Sequence, residues 1–392
     1  MSKNSRLKNW KTRLIHSDAN VPDGFHSLST PVTRASTVLF PNAAAANSGW
    51  DPYQDGYTYG THGTPTTMEL AARVCELEGG TRTLLAPSGL AAISLIGFAL
   101  LKAGDHLLAP INVYGPNRKF ASLVLHRFGV ETTFYPPGIG SKIESLFRET
   151  TALVWCESPG SVTMEVEDVP AIVQVAHKKG ALVALDNTWA AGVHFDAFAH
   201  GLDVTMQALT KYVAGHSDVL LGSVTVRDEA LHKRLGEMHN WLGYAVSADE
   251  CSLALRGMQT LAVRLQVIEN SALELAQWLA TRPEVELVLH PALPSCPGHE
   301  LWKRDFTGAA GVFSLVLRDG YSQEQVMRFV DSLELFRVGY SWGGVASLAV
   351  AYNLRGNRDR PDYGHRIVRL NVGLEDVGDL RADLEGALGH LE

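Results

Sequence analysis

The stretch ALVALDNTWAAGVHFDAFAHGLDVTMQALTKYVAGHSD, residues 181–218, holds two short apolar runs, ALVALDN (181–187) and VTMQALT (204–210), each ending in polar residues. A short apolar run closed by Asn, Asp, Ser, Gly or Pro is the pattern of a strand buried on both faces, as in a parallel sheet covered by helices. Five further runs share it: TLLAP (83–87), HLLAP (106–110), VETTFYP (130–136), ALVWCES (152–158) and SVTVRD (223–228). Between most of them lies a segment long enough for a crossover helix. The expectation is an α/β fold, a large mainly parallel sheet whose site sits at the carboxyl ends of its strands.

After about Leu255 the pattern changes. One long helix is expected over Thr260 to Ala280, then alternating stretches GVFSLVLRD (311–319) and RIVRLNVGL (366–374), and a last helix near Glu375 to Leu388. Short strands beside helices suggest a smaller α+β domain at the carboxyl end. The first sixty residues, with Pro22, Pro31, Pro41 and Pro52, lack sustained periodicity and read as an extended arm. The expected division is therefore an arm at 1–60, a sheet domain at 61–255 and a cap at 256–392.

The chain has 392 residues, 46% of them apolar, which is room for two or three domains with sizeable cores and argues against disorder. There are 34 basic and 42 acidic residues, a formal charge of −8, and no run of Lys or Arg beyond the amino-terminal tail. That balance excludes a nucleic-acid partner. The amino terminus, MSKNSRLKNWKTRLIH, has no apolar core and does not read as a signal peptide; Arg6, Lys8, Lys11 and Arg13 are expected to be exposed. The longest apolar stretch, Leu90 to Leu101, falls short of the roughly 20 residues a bilayer needs, so no membrane is expected. Cys75, Cys156, Cys251 and Cys296 share no metal spacing, which suggests no metal site and a reducing cytoplasm.

Four features converge on one chemistry. Lys211 follows an apolar run directly, where a strand should end, and Asp186 ends the run one crossover earlier. LLAPSGLAAISL (84–95) places Ser88, Gly89 and Leu90 between a strand and an apolar helix, where backbone N–H groups and the helix dipole suit a phosphate. Arg369 stands in an otherwise apolar strand. Singly, each has a plainer structural reading: a solvated lysine, a helix cap, an ordinary turn, an ion pair. Together they match the needs of pyridoxal 5'-phosphate: a lysine for its Schiff base, an acid for its ring nitrogen, an anion site for its phosphate, and an arginine for an amino-acid carboxylate.

The segments YTYGTHGTPT (57–66), APSGLAA (86–92), WCESPGSVTMEV (155–166), ALDNTWAAG (184–192), QALTKYVAGHSD (207–218), GYSWGGVASL (339–348) and RLNVGLEDVGDL (369–380) resemble those of the pyridoxal-phosphate enzymes of cysteine and methionine metabolism, the transsulfuration group. The resemblance covers nearly the whole chain in the family's order. It implies a fold-type I architecture and a homotetramer of two active-site-sharing dimers. On it, Lys211 matches the cofactor lysine and Asp186 the ring-nitrogen acid. Ser88, Gly89, Leu90 and Thr210 match the phosphate site, Tyr114 the tyrosine stacked on the ring, and Tyr59 the tyrosine that reaches a neighbour's site. Arg369 matches the carboxylate-binding arginine, supported by Ser341 and Trp342.

One departure stands out. Where many relatives read Tyr-x-Arg, this chain has Tyr59, Gly60, Thr61, with His62 as a substitute for the missing intersubunit arginine or a structural residue. Ala208-Leu209-Thr210-Lys211, Glu157-Ser158-Pro159-Gly160-Ser161 and Ser341-Trp342 favour the branch that acts at the β-carbon. The resemblance then implies β-elimination of cystathionine to homocysteine, pyruvate and ammonia, with Lys211 and Tyr114 as catalytic groups. Attack at the γ-carbon, β-elimination from other cysteine conjugates, and cofactor binding without turnover remain as alternatives.

Overall fold

The computed structural model describes residues 9–15, 27–49, 56–355 and 362–391. Pro22 and Pro52 of the arm, and the tail residues Arg6 and Lys8, lie outside them. Every apolar run noted above becomes a strand: β1 Arg82–Ala86, β2 His106–Pro110, β3 Glu131–Tyr135, β4 Thr151–Glu157, β5 Leu182–Asp186, β6 Val204–Gln207 and β7 Gly222–Val226. They form one sheet in the order β1-β7-β6-β5-β4-β2-β3. The pairs β2–β3, β2–β4, β4–β5 and β5–β6 are parallel, and β7 alone runs against both its neighbours. Because β1 and β6 both oppose β7, the carboxyl ends of the other six strands meet along one edge.

The two faces of this sheet pack different layers. Ala184, Val204 and Met206 belong to one cluster with Leu95 and Ile96 of the helix Gly89–Leu100. Val183, Leu185 and Cys156 join the other, with Leu70 and Val74 of the helix Pro65–Glu78. That second helix starts on a capping box between Thr64 and Thr67, with Pro65 at its first position. The crossover from β5 to β6 holds no helix; residues 188–203 run through turns, anchored by the buried side chains of Trp189 and Phe195. Ala191 and Gly192 there both have positive φ, which an α-helix excludes.

A second sheet contains β8 Val285–Leu289, β9 Val312–Leu317, β10 Arg337–Val338, β11 Leu348–Tyr352 and β12 Ile367–Asn371. Its order is β10-β11-β12-β9-β8, antiparallel except at β10–β11. The long helix spans Leu261–Leu279 and the last Val377–Leu388, the latter capped by the Asp376 carboxylate. The arm is less extended than its composition suggests. Trp10–Ile15 is a short helix whose Leu14 is buried, and Arg13 is partly buried beside Glu76 at 3.4 Å rather than free in solvent. Lys11 is exposed. All four cysteines are buried free thiols, and no helix among the described residues is long and apolar enough to cross a membrane.

Candidate active site

At the carboxyl edge of the first sheet lies a cavity of about 190 Å³. Its lining includes Ser88, Gly89, Leu90, Tyr114, Asp186, Thr210, Lys211, Trp342 and Arg369, nine of the residues singled out in the sequence. Ser341 is tied into it through Lys211. Tyr59 is not: its side chain is about half exposed, its backbone bridges Thr37, and it lies outside this chain's cavity. A larger cavity of about 330 Å³, lined by Thr61, His62, Cys75, His232 and His239 among others, lacks this convergence of amine, acid and guanidinium.

Lys211 is four residues past the end of β6, in a turn whose Lys211 N–H donates to Ala208 O. Its ammonium donates to Ser341 Oγ at 2.6 Å and sits 5.2 Å from the Trp342 ring. Burial first, then the like charge of Arg369, lower its pKa to about 8, against the opposing pull of Asp186. Arg369 projects from β12 and is nearly buried; it donates to Ser341 O at 3.2 Å and lies 5.4 Å from the Tyr352 ring. Burial lowers its pKa too. Among the described residues no carboxylate pairs with either cation. Ser341 therefore holds both, and does so with φ of +82°, a conformation that costs a residue with a Cβ.

Asp186 closes β5. Its carboxylate accepts the Thr188 N–H at 3.0 Å and the Thr188 hydroxyl, and burial raises its pKa while Thr188 and Lys211 lower it. Thr188 Oγ1 also accepts the Ala208 N–H at 2.9 Å, linking the ends of β5 and β6. The sequence reading missed Thr188, although it stands two residues past Asp186 in the same turn. It also missed the position of Glu157, which ends β4, lines the cavity and accepts the Tyr114 N–H at 2.8 Å. Tyr114 is partly exposed, and burial foremost raises its phenol's pKa.

The residues present fit pyridoxal phosphate. Gly89 opens a helix of 12 residues with its backbone against the cavity; a Cβ there would stand 2.7 Å from the Ala208 Cβ. The N–H groups at that helix start are an anion site. The Ser88 hydroxyl caps the helix by accepting the Ala91 N–H at 3.0 Å, and keeps its own hydrogen to donate. Thr210 is more committed: its hydroxyl donates to Leu221 O and accepts Leu221 N–H. His62 is engaged within its own chain, with Thr58 Oγ1 at 2.9 Å and Asn240 Oδ1 at 3.0 Å.

Comparison with known proteins adds to this geometry. A protein of Escherichia coli strain K12 named cystathionine beta-lyase MetC is 39% identical over 98% of this chain and 99% of its own. A Wolbachia pipientis wMel protein named L-alanine/L-glutamate racemase is 39% identical over 93% of each. A crystal structure of metB from Corynebacterium glutamicum superposes with a TM-score of 0.91 at 29% identity, covering 98% of this chain and 99% of that one. Residues 11–389 match the family described as Cys/Met metabolism PLP-dependent enzyme, and the chain belongs to that pyridoxal-phosphate-dependent family.

Proposed function

We propose that the chain is a carbon–sulfur lyase that cleaves cystathionine at its β-carbon, giving homocysteine, pyruvate and ammonia. The observation that carries this is the pair of cations, Lys211 and Arg369, held by one serine in the cavity that the buried acid Asp186 also lines. The name of the Escherichia coli relative supports the substrate. Pyridoxal phosphate, when bound, supplies an electron-accepting ring for the pair left at Cα. With the cofactor bound, Asp186 would hold the ring nitrogen protonated, and the Gly89–Leu90 N–H groups with Ser88 would hold the phosphate, beside Thr210. Tyr114, which lines the same cavity, would cover the ring. Arg369, with Ser341 and Trp342 beside it, grips the substrate carboxylate and fixes which bond at Cα faces Lys211.

Lys211 then removes the Cα proton. An ordinary lysine is almost wholly protonated at neutral pH, whereas one lowered to about 8 is neutral in a useful fraction of molecules. The Cβ–S bond breaks as that pair moves toward Cβ, and the thiolate takes a proton from Lys211 or from Tyr114, whose raised pKa keeps its phenol protonated; the released aminoacrylate then takes up one water to give pyruvate and ammonia. Tyr59, exposed on its own subunit, is assigned to a neighbour's site, which requires at least a dimer, and the family resemblance extends this to a homotetramer of two such dimers. The division at 1–60, 61–255 and 256–392 and a cytoplasmic location complete the reading.

The test is the keto acid formed from cystathionine by the cofactor-loaded protein. Pyruvate is expected, and 2-oxobutyrate would place the chemistry at the γ-carbon instead. The Wolbachia relative supports a second reading, in which the same proton is returned to the opposite face of alanine or glutamate and no C–S bond breaks. Loss of optical rotation from L-alanine, without pyruvate from cystathionine, would select it.

A further inference from the structure

Behind Asp186, on the far face of the first sheet, sits a second acid that the reaction does not use. Glu78, the last residue of the helix Pro65–Glu78, is 4% exposed. Its carboxylate accepts Asn187 Nδ2 at 3.1 Å on one oxygen and Gln207 Nε2 on the other. Asn187 directly follows Asp186, and Gln207 is the last residue of β6, immediately before the Ala208 that bonds Thr188. Side chains alternate across a strand, so Asn187 and Gln207 reach backward where Asp186 and Met206 reach toward the cavity. Glu78 thus clamps from behind the same two strand ends that Thr188 links in front.

The chain makes room for this clamp. Gly192 has φ of +69°, and a Cβ on it would lie 2.5 Å from Gln207 Nε2 and 3.0 Å from Glu78 Oε1. Any side chain at 192 would push the clamp apart. Burial foremost, offset by hydrogen bonds from Asn187, Gln207 and Thr205 and helped by the charge of Asp186, raises the Glu78 pKa to about 7, so the two acids feel one another and Glu78 carries its charge from about pH 7 upward. From β5 the charged group facing it is Asp186; Asn187, Gln207 and Thr205 are neutral. On its own helix Cys75 lies a turn back, with its thiol pKa raised by burial.

We propose that Glu78 is a positioning residue for Asp186, fixing its strand end from the back of the sheet and adding a second negative charge that favours the proton on the cofactor's ring system. This rests on the reading of Asp186 as the ring-nitrogen acid. A residue that only filled space would leave the bound cofactor's spectrum alone.

The experiment is a pH titration of the bound cofactor's visible absorption in the holoenzyme, with the rate of cofactor loss into buffer measured alongside. Removing a nearby negative charge disfavours the protonated cofactor. Glu78→Gln is therefore expected to lower the titration midpoint by roughly half a pH unit and to speed cofactor loss several-fold. Gln207→Met removes one donor, raises the proton affinity of Glu78 and should move the midpoint the same way; it serves where Glu78→Gln does not fold. Asp186→Asn is the control. A control that changes neither readout overturns the Asp186 reading itself. If the control moves both and neither Glu78→Gln nor Gln207→Met moves the midpoint, Asp186 keeps its role and Glu78 loses the one proposed here.

Discussion

The two walls of the cavity are built in opposite ways. The floor, from the first sheet, takes its groups from regular strand ends: Asp186 closes β5, Glu157 closes β4, and Lys211 follows β6. The opposing wall, from the second sheet, takes Arg369 from mid-strand and Ser341 and Trp342 from the irregular segment 339–347, where Ser341 is held in a left-handed conformation. The floor carries the groups that move protons. The wall carries recognition, and through Ser341 it also reaches across to hold the floor's lysine. Regular strand ends fix an acid and an amine with little strain, whereas a group that must touch both walls is placed at a backbone cost.

The largest expected effect lies on the floor. Lys211→Ala should lower kcat by about 10³-fold or more, the usual scale for loss of a positioned general base, and abolish the visible band of lysine-bound cofactor. The same lysine should be a burden to the cofactor-free fold. Its folded pKa, about 8, lies below the ordinary value of 10.5, so between those values the unfolded chain holds a proton that the folded chain has released. Stability therefore rises with pH across that window, and below about 8 the penalty is present in full. Lys211→Met in the cofactor-free protein should be more stable at pH 7, on the order of 2 kcal/mol, with the difference gone near pH 10.5. Thermal unfolding at the two pH values checks this, and an unchanged Tm at pH 7 would mean that burying the Lys211 charge costs the fold nothing.

On the wall, Arg369→Ala should cost about 3 kcal/mol of transition-state binding, roughly 10²-fold in kcat/KM, falling mainly on KM. Arg369→Lys should restore little, since a single ammonium cannot grip a carboxylate at two points. There is a second signature. Arg369 is a like charge that lowers the Lys211 pKa, so its removal should shift the rising limb of the pH–rate profile to higher pH. A loss in kcat alone, with KM and the profile unmoved, would erase the distinction between floor and wall.

The same contrast governs what the sequence reveals. The seven apolar runs of the first sheet are legible because its inner strands are buried on both faces and every run is closed by turn residues, and a polar side chain just past such a run has one edge to occupy. The crossover 188–203 is not, since nothing in its composition separates a helix from the turns that Ala191 and Gly192 impose. Glu78 is hidden for another reason. It looks like a solvated residue at a helix end, and only packing against Asn187 and Gln207 shows it buried. On the wall, Ser341 and Trp342 are identified by family resemblance alone, because no periodicity marks a left-handed serine. The arm's composition hides a helix of six residues that needs Leu14 in the core to form.

Ser341 is where the two walls meet, and it gives the smaller effects. Ser341→Ala removes the acceptor of the Lys211 hydrogen bond while leaving the backbone as it is; a drop of about tenfold in kcat is expected, the scale of one hydrogen bond to a charged group. The carbonyl that binds Arg369 is untouched, so KM should stay close to its starting value.

Ser341→Gly makes the finest cut. It loses the same hydroxyl, so its kinetics should match those of Ser341→Ala. Its backbone adopts φ of +82° without a Cβ to oppose it, so the glycine protein should be the more stable of the two by about 1 kcal/mol, less whatever freedom glycine gains when unfolded. Chemical denaturation of both variants measures that difference directly. A glycine variant less stable than the alanine one would show that segment 339–347 sits at ease in its left-handed turn, and the backbone cost assigned to this wall would have to lie elsewhere.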